Sequence, residues 1–325
     1  MSVHVPAELA TRGPGPSAPP RRRGSIRRTS TIDATFPDGL GGETILEGRA
    51  RDLLTRDDGT ITVTAEAVLH ARLDEKRRIL QIESSPELPR LTELVGESAM
   101  GGHRRRLAGL TTADGSPLHL LLDDLPGATL VSQAAFQSWL GLDEYLNAKL
   151  DVRQRIMRDV CSGYQDGSEA LHPDGTLRWD NQRREPARPL DDVGDPEAWH
   201  ELRNPTGIAM RRARRTDVWN ATEIDAFFQD SSTLPTGGRQ AIHEYQLTAE
   251  ATNGVLRSVH PIARVLPYLE CPLAVPRTGD LIGRELAELR TTVLRDLAGA
   301  AGCTHLNDML RSLADVPVLQ RTLDS

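Results

Sequence analysis

Near the start of the chain, β-branched and polar positions alternate with period two over Thr60–Leu73, and three neighbouring stretches have strand-like composition between turn signals. Ile26–Phe36, Ile45–Thr55, Thr60–Leu73 and Ile79–Glu83 each read as a strand, with Ile61-Thr62-Val63-Thr64 the plainest alternation. Pro37-Asp38-Gly39 and Asp57-Asp58-Gly59 supply the turns, and Pro86 and Pro89 end the run. The pattern predicts an antiparallel meander. Leu91–Val95 and His103–Leu110 read as helix, and Leu118–Leu122 as an apolar run closed by a turn at Asp123-Asp124-Leu125-Pro126-Gly127. Residues 133–165 read as a helical bridge. Residues 166–206, rich in Asp, Pro, Gly and Arg, read as a linker. Residues 1–23, with Pro14, Pro16, Pro19, Pro20 and then Arg21-Arg22-Arg23, predict a disordered basic tail.

The second half repeats the first. Ile26-Arg27-Arg28 is answered by Met210-Arg211-Arg212, Asp33 by Asp217, and Val63-Thr64-Ala65-Glu66-Ala67 by Leu247-Thr248-Ala249-Glu250-Ala251, at an offset of 184. Pro89 is answered by Pro267. Val95-Gly96 answers to Ile282-Gly283 and Gly115-Ser116 to Gly302-Cys303, both at offset 187. Matches in chain order, with small offset changes at turns, argue for a duplicated unit rather than a short-period array. The expected fold class is α+β: two tandem copies, 24–132 and 207–325, joined by the bridge 133–206. Each copy is a meander followed by packed helices. In the second copy these are Asp280–Leu297, with Leu281, Ile282, Leu286, Leu289, Val293 and Leu297 at core spacing, and Thr304–Leu313.

Composition narrows the function classes. The 325 residues carry 39 Lys plus Arg against 46 Asp plus Glu, a formal charge of −7, which disfavours a nucleic-acid binder. Lys76 and Lys149 are the only lysines; the other basic residues are arginines, whose planar fork suits carboxylates and phosphates. Aromatics make up 4 % of the chain, too few for a broad stacking platform. Cys161, Cys271 and Cys303 fit neither a disulfide framework nor a zinc Cys-x-x-Cys pair, and a cytoplasmic setting is the simplest. No apolar run reaches the ~18 residues of a membrane helix. No signal-peptide core, glycine-rich dinucleotide loop, phosphate loop or Gly-x-Ser-x-Gly elbow is present, and no cofactor is implied.

Gly302-Cys303-Thr304-His305-Leu306, followed by a polar pair and Leu310, resembles the C-terminal signature of a bacterial family, the domain of unknown function number 2889. Arg27-Arg28 to Asp33, Gly48-Arg49-Ala50-Arg51-Asp52 and Leu266-Pro267 to Cys271-Pro272 are similar to other parts of it. The resemblance covers about 25–125 and 207–317. The first copy departs from the signature, reading Ser116-Pro117-Leu118-His119. The resemblance implies a bacterial soluble protein of small-molecule catabolism and no particular reaction.

Comparison of the copies ranks the candidate chemistry. Cys303 faces Ser116, His305 faces Leu118, Asp308 faces Leu121 and His243 faces Gly59, so reactive groups gather in the second copy. Arg28/Arg212, Asp33/Asp217 and Glu66/Glu250 occur in both and read first as sheet-fixing Arg–carboxylate contacts. Cys303 stands near a helix start, where unpaired N–H groups favour a thiolate, and a histidine can serve as its base. His305 is a poor direct base if both residues are helical, since i and i+2 do not share a face; His243 or His260 suits better. His305 and Asp308 share a helical face, so Asp308 can orient the imidazole. With Cys303 or His243 they could also ligate zinc or iron. The non-catalytic alternatives are a buried filler thiol and a capping network of Thr304, His305 and Asn307. Arg211-Arg212-Ala213-Arg214-Arg215 reads as a solvated strand or, through Arg211 with Arg215 or Arg212 with Arg214, as an anion clamp.

The leading expectation is therefore a hydrolase- or lyase-type enzyme acting on a small anionic organic substrate such as an acyl thioester. Cys303, His305, Asp308 and His243 are the candidate catalytic residues, and Arg212, Asp217 and Glu250 the candidate substrate-binding residues. The alternatives are a non-catalytic ligand-binding or assembly module and a metal-binding protein.

Overall fold

Both expected meanders form, but they share one sheet. The computed structural model describes residues 3–111, 115–149, 153–191, 193–220 and 222–325. The first meander is β1 (Ser25–Thr35), β2 (Thr44–Thr55), β3 (Ile61–Leu73) and β4 (Ile79–Ser85). Helices α1 (His103–Leu110), α2 (Pro117–Val131), α3 (Ala134–Leu140) and α4 (Leu142–Ala148) follow, then the two-residue strand β5 (Glu185–Pro186). The second meander is β6 (Ala209–Trp219), β7 (Glu223–Thr233), β8 (Arg239–Thr252) and β9 (Val255–Val265). Helices α5 (Leu289–Asp296), α6 (Thr304–Ser312) and α7 (Val316–Leu323) close the chain. The sheet runs β4-β3-β2-β1-β6-β7-β8, with β5 and β9 both paired to β8, and every pairing is antiparallel. The fold is α+β. No helix among the described residues is long and apolar enough to cross a membrane.

β1 and β6 join the meanders at the centre, pairing Asp33 with Arg211, Ser30 with Arg214 and Arg27 with Asp217. Both strands are buried on both faces. The helices pack on one face, where Ile32, Leu46 and Leu69 meet Leu118, Leu121 and Leu125, and Val218, Tyr245 and Leu247 meet Leu289, Leu306 and Leu310. A smaller core of Ala18, Leu190, Ala198, Trp199, Ala213 and Phe227 lies on the other face.

That second cover corrects two expectations. Residues 3–23 are not a solvated tail. Gly15 N donates to Glu244 Oε1 at 2.7 Å, Ser17 Oγ to the Leu190 carbonyl at 2.6 Å, and Arg215 Nε to the Ser17 carbonyl at 2.9 Å. Proline keeps this segment extended, and the sheet beneath supplies partners for its polar backbone. Within 166–206, the stretch from Leu190 to His200 is likewise no linker, because Leu190, Trp199 and His200 are buried. Further corrections concern helices. The expected turn at Asp123–Gly127 lies inside α2. Pro126 cannot donate to the Leu122 carbonyl, and His103 Nε2 occupies that carbonyl instead at 3.0 Å. The expected helix Asp280–Leu297 is helical only from Leu289; before it the chain makes short 3₁₀ turns. The bridge 133–165 holds α3 and α4, and the chain around the 3₁₀ turn Ser162–Tyr164 is irregular.

The arginine run is not solvated. Arg211 and Arg215 lie on the second face, on Asp33 and on Asp217 with Asp225; Arg212 and Arg214 lie on the helical face, on Asp230 with Asp308 and on Asp124. All four are buried. Buried guanidinium groups persist only when paired, and the aspartates of both meanders and helices provide this.

Candidate functional site

Three neighbouring strands place one side chain each in a single row. Arg212 on β6 stands opposite Asp230 on β7, which stands opposite His243 on β8. The register shifts there, because Ala241 pairs with Ser231 while His243 pairs with Asp230, leaving Ile242 as the extra residue. Such a bulge re-aims the side chains beside it. The first meander has the same shift: Arg28 faces Asp52 and Asp52 faces Ala65, with Thr64 the extra residue. Row for row the counterpart of His243 is thus Ala65, which corrects both its comparison with Gly59 and the matching of Ala65 with Ala249.

The start of α6 completes the group from above. His305 stacks on His243 with ring centroids 3.4 Å apart and planes 16° apart. Asp230 Oδ2 lies 3.3 Å from His243 Nδ1 and 3.7 Å from His305 Nε2. Neither of these ring nitrogens has a hydrogen-bond partner of good geometry. On its other edge, His305 Nδ1 is 4.0 Å from Cys303 Sγ, to which Tyr245 Oη donates at 3.4 Å. Cys303 and His305 meet although two apart in sequence, because Cys303 is the N-cap of α6 with extended backbone (φ −120°, ψ 125°) rather than a helical residue. The equivalent cap of α2 is Ser116.

Burial sets the charge states. It pushes the His305 pKa well below 6.5, and the neighbouring His243 adds to the effect. It also lowers His243, against the opposing pull of Asp230. Burial alone would raise the Asp230 carboxyl, but the Arg212 charge and hydrogen bonds, with the nearby His243 ring, hold it below the usual carboxylate range. Arg212 grips Asp230 through Nε at 2.9 Å and Nη2 at 3.0 Å. Burial raises the Cys303 thiol. This corrects the helix-start expectation: a fully desolvated thiolate costs more than one helix terminus returns. The resting site therefore pairs a neutral thiol with neutral imidazoles, backed by an ionised carboxylate.

These groups form one wall of a cavity of about 270 Å³. Tyr145, Trp179, Leu177, Met157, Val131 and Ile242 make much of the apolar lining, and Cys161, Cys271 and Cys303 all reach it. Cys303, His305 and His243 are thus brought together. Asp308 is not with them as an orienting group: Arg104 Nη2 holds its Oδ1 at 2.6 Å and Arg212 Nη1 its Oδ2 at 2.8 Å. Each of its oxygens is taken by a guanidinium, and it makes no hydrogen bond to the imidazole. Asp230 takes the position behind both rings instead. Sequence reasoning missed it because Phe227-Phe228-Gln229-Asp230 carries no motif; the signal was Asp52, opposite Arg28 in the first meander. Arg212 is buried under Asp230 and Asp308 and is spent as a support. Asp217 lies on the opposite face with Arg27 and Arg215, Glu250 is exposed on β8 and does not line the cavity, and His260 is exposed on β9. The shared arginines and aspartates do fix the sheet, with partners other than those expected.

Residues 208–319 match the family described as Protein of unknown function (DUF2889). The DUF2889 segment runs from the start of β6 into α7. It contains Arg212, Asp230, His243, Cys303 and His305, whereas Tyr145 and Trp179 lie outside it. The match does not extend to residues 25–125, where a resemblance was expected. No curated protein and no solved structure matches the chain.

Proposed function

We propose that this chain is a bacterial, cytoplasmic enzyme of hydrolase or lyase type that uses Cys303 and His305 on a small anionic organic substrate, with Asp230 and His243 holding the imidazole. The two meanders are read as a duplicated unit in which only the second keeps the chemistry, since Ala65 and Leu118 stand where His243 and His305 do. The observation that carries the reading is His305 Nδ1, 4.0 Å from Cys303 Sγ at a cavity wall, with a buried carboxylate behind the same ring. A proton on Nε2 facing Asp230 leaves Nδ1 free to accept from the thiol. In hydrolysis of an acyl thioester, Sγ bonds to the carbonyl carbon as its proton passes to Nδ1. The leaving thiolate takes that proton, and a water activated by the same nitrogen cleaves the acyl-enzyme. A cavity beside the pair supports an enzyme over an assembly module, which would leave these groups without a cleft. The test is turnover of a panel of p-nitrophenyl esters and thioesters by the wild type, Cys303→Ala and His305→Ala. Loss of about 10²-fold or more in both variants is expected; unchanged turnover in both would end the assignment.

A second reading, a bound divalent transition metal, is favoured by one observation. Asp230, His243 and His305 bring ligand atoms within 4.8 Å of one another, and two of those atoms lack hydrogen-bond partners. Two imidazoles and a carboxylate suit zinc or iron. Against it, Arg212 already holds both Asp230 oxygens and adds positive charge. Elemental analysis of protein purified without chelator decides: stoichiometric metal lost in His243→Gln supports it, and none disposes of it.

A further inference from the structure

The cavity that presents Cys303 and His305 has an electrostatic peculiarity. Among its described lining residues are three arginines, Arg77, Arg155 and Arg184, and no aspartate or glutamate. Elsewhere in this protein buried arginines sit on carboxylates, often in bidentate pairs. Arg184 differs. It is partly buried, just before β5, and its guanidinium donates to neutral acceptors: Ser138 Oγ at 3.1 Å, Gln182 Oε1 at 3.2 Å, and Gln137 Oε1. No carboxylate offsets the desolvation that lowers its pKa. The buried indole N–H of Trp179, on the same lining, also lacks an acceptor. A cationic fork held by amides and a hydroxyl, at the edge of an apolar chamber, is a preformed seat for an anion.

We infer that Arg184 holds the carboxylate of the substrate and that the cavity takes a compact acid with an aromatic or branched apolar body, its far end directed at Cys303 and His305. This rests on the enzyme reading for what happens at that far end, but not for binding. The volume, about 270 Å³, falls just below the range of drug-sized ligand pockets, room for a single ring with a short side chain. A nucleotide-bearing thioester arm would have to lie outside it. Tyr145, Trp179 and Tyr164 supply flat walls suited to a ring. Arg184, in a stretch whose composition signals a linker, thus takes the anion-holding role expected of Arg212, which is fully engaged.

The test is calorimetric titration of the full chain with benzoate and phenylacetate, against their neutral isosteres benzamide and phenylacetamide. The acids are expected to bind at least roughly tenfold tighter than the amides, the size of one charge-assisted hydrogen bond. Arg184→Gln should abolish that preference, and Arg184→Lys should restore part of it. Equal binding of acids and amides, no binding of any of the four, or unchanged preference in a folded Arg184→Gln protein overturns the inference. Cys303→Ala should keep the acid preference. If it does while turnover is also unaffected, the enzyme reading fails and this one stands.

Discussion

Arg27 and Asp217 form a bidentate ion pair across the central seam of the sheet, Nε to Oδ1 at 2.6 Å and Nη2 to Oδ2 at 2.9 Å. Arg211 and Asp33 repeat it with the strands exchanged, at 2.8 and 3.1 Å. The two pairs lie symmetrically about the Ser30–Arg214 position of the β1–β6 ladder. The same seam therefore joins the meanders by four charges as well as by backbone hydrogen bonds. Asp217 also accepts from Arg215. Asp217→Ala is accordingly expected to cost about 3–5 kcal/mol, and more than Asp33→Ala, because Asp217 holds two buried arginines, Arg27 and Arg215, whereas Asp33 holds only Arg211. Urea midpoints at unchanged slope would measure both. A loss below about 1 kcal/mol for Asp217→Ala would show that the seam does not depend on the pair.

How far the fold could be read in advance follows from the same residues. The strands of the first meander were legible to within two residues because their composition and turn residues are local signals. β1 and β6 were legible as strands but not as the centre of the sheet. Their arginines and aspartates look solvated until partners from distant segments are known. Of the candidate site, Cys303, His305 and His243 were legible because the first meander lacks them. Asp230 and Arg184 were not: one sits in a strand with no motif, the other in a stretch whose composition signals a linker. What decides both is which side chain lies across from them, and that is a property of register and packing.

α2 shows how a single carbonyl can couple two distant residues. Pro126 frees the Leu122 carbonyl, and His103 fills it. Replacing His103 by Leu should leave that buried acceptor unsatisfied, at a cost of about 1–3 kcal/mol. Adding Pro126→Ala returns a backbone N–H to the helix ladder, so the His103→Leu penalty should shrink in that background. A double-mutant cycle by urea unfolding measures the coupling. Strict additivity would mean that the histidine does not act as the proline's partner.

Buried neutral histidines also fix the sign of the acid response. Burial pushes His103 down to about 4 and His200 down to about 3, the nearby Arg51 adding to the second. His243 and His305 are shifted in the same direction. In the unfolded chain each takes a proton near 6.5, so below that pH protons bind the unfolded state preferentially. Stability from these groups is full above about pH 6.5, falls as pH drops, and is lost completely only below the folded-state values. His103 alone accounts for about 3 kcal/mol across its window. NMR titration of the imidazoles alongside urea midpoints from pH 7 to 4 tests this. A flat stability profile over that range would contradict it.

Gly127 reverses the usual rule for helix glycines. In an open helix, Gly→Ala gains up to about 1 kcal/mol. At Gly127 an added Cβ would stand 1.7 Å from Arg212 Nη1 and 2.6 Å from Asp308 Oδ2. Arg212 cannot retreat without leaving Asp230 or Asp308, and both are buried. Gly127→Ala should therefore destabilise the fold by about 3–5 kcal/mol, the cost of breaking a buried pair. It should also release Asp230 from Arg212, allowing the His305 and His243 titrations to move upward. Gly109→Ala is the control: on α1 an added Cβ there meets nothing within 4 Å, so the change should be neutral or stabilising. If the two variants unfold at the same urea concentration, the packing of Arg212 through the α2 glycine is not what holds the row in place.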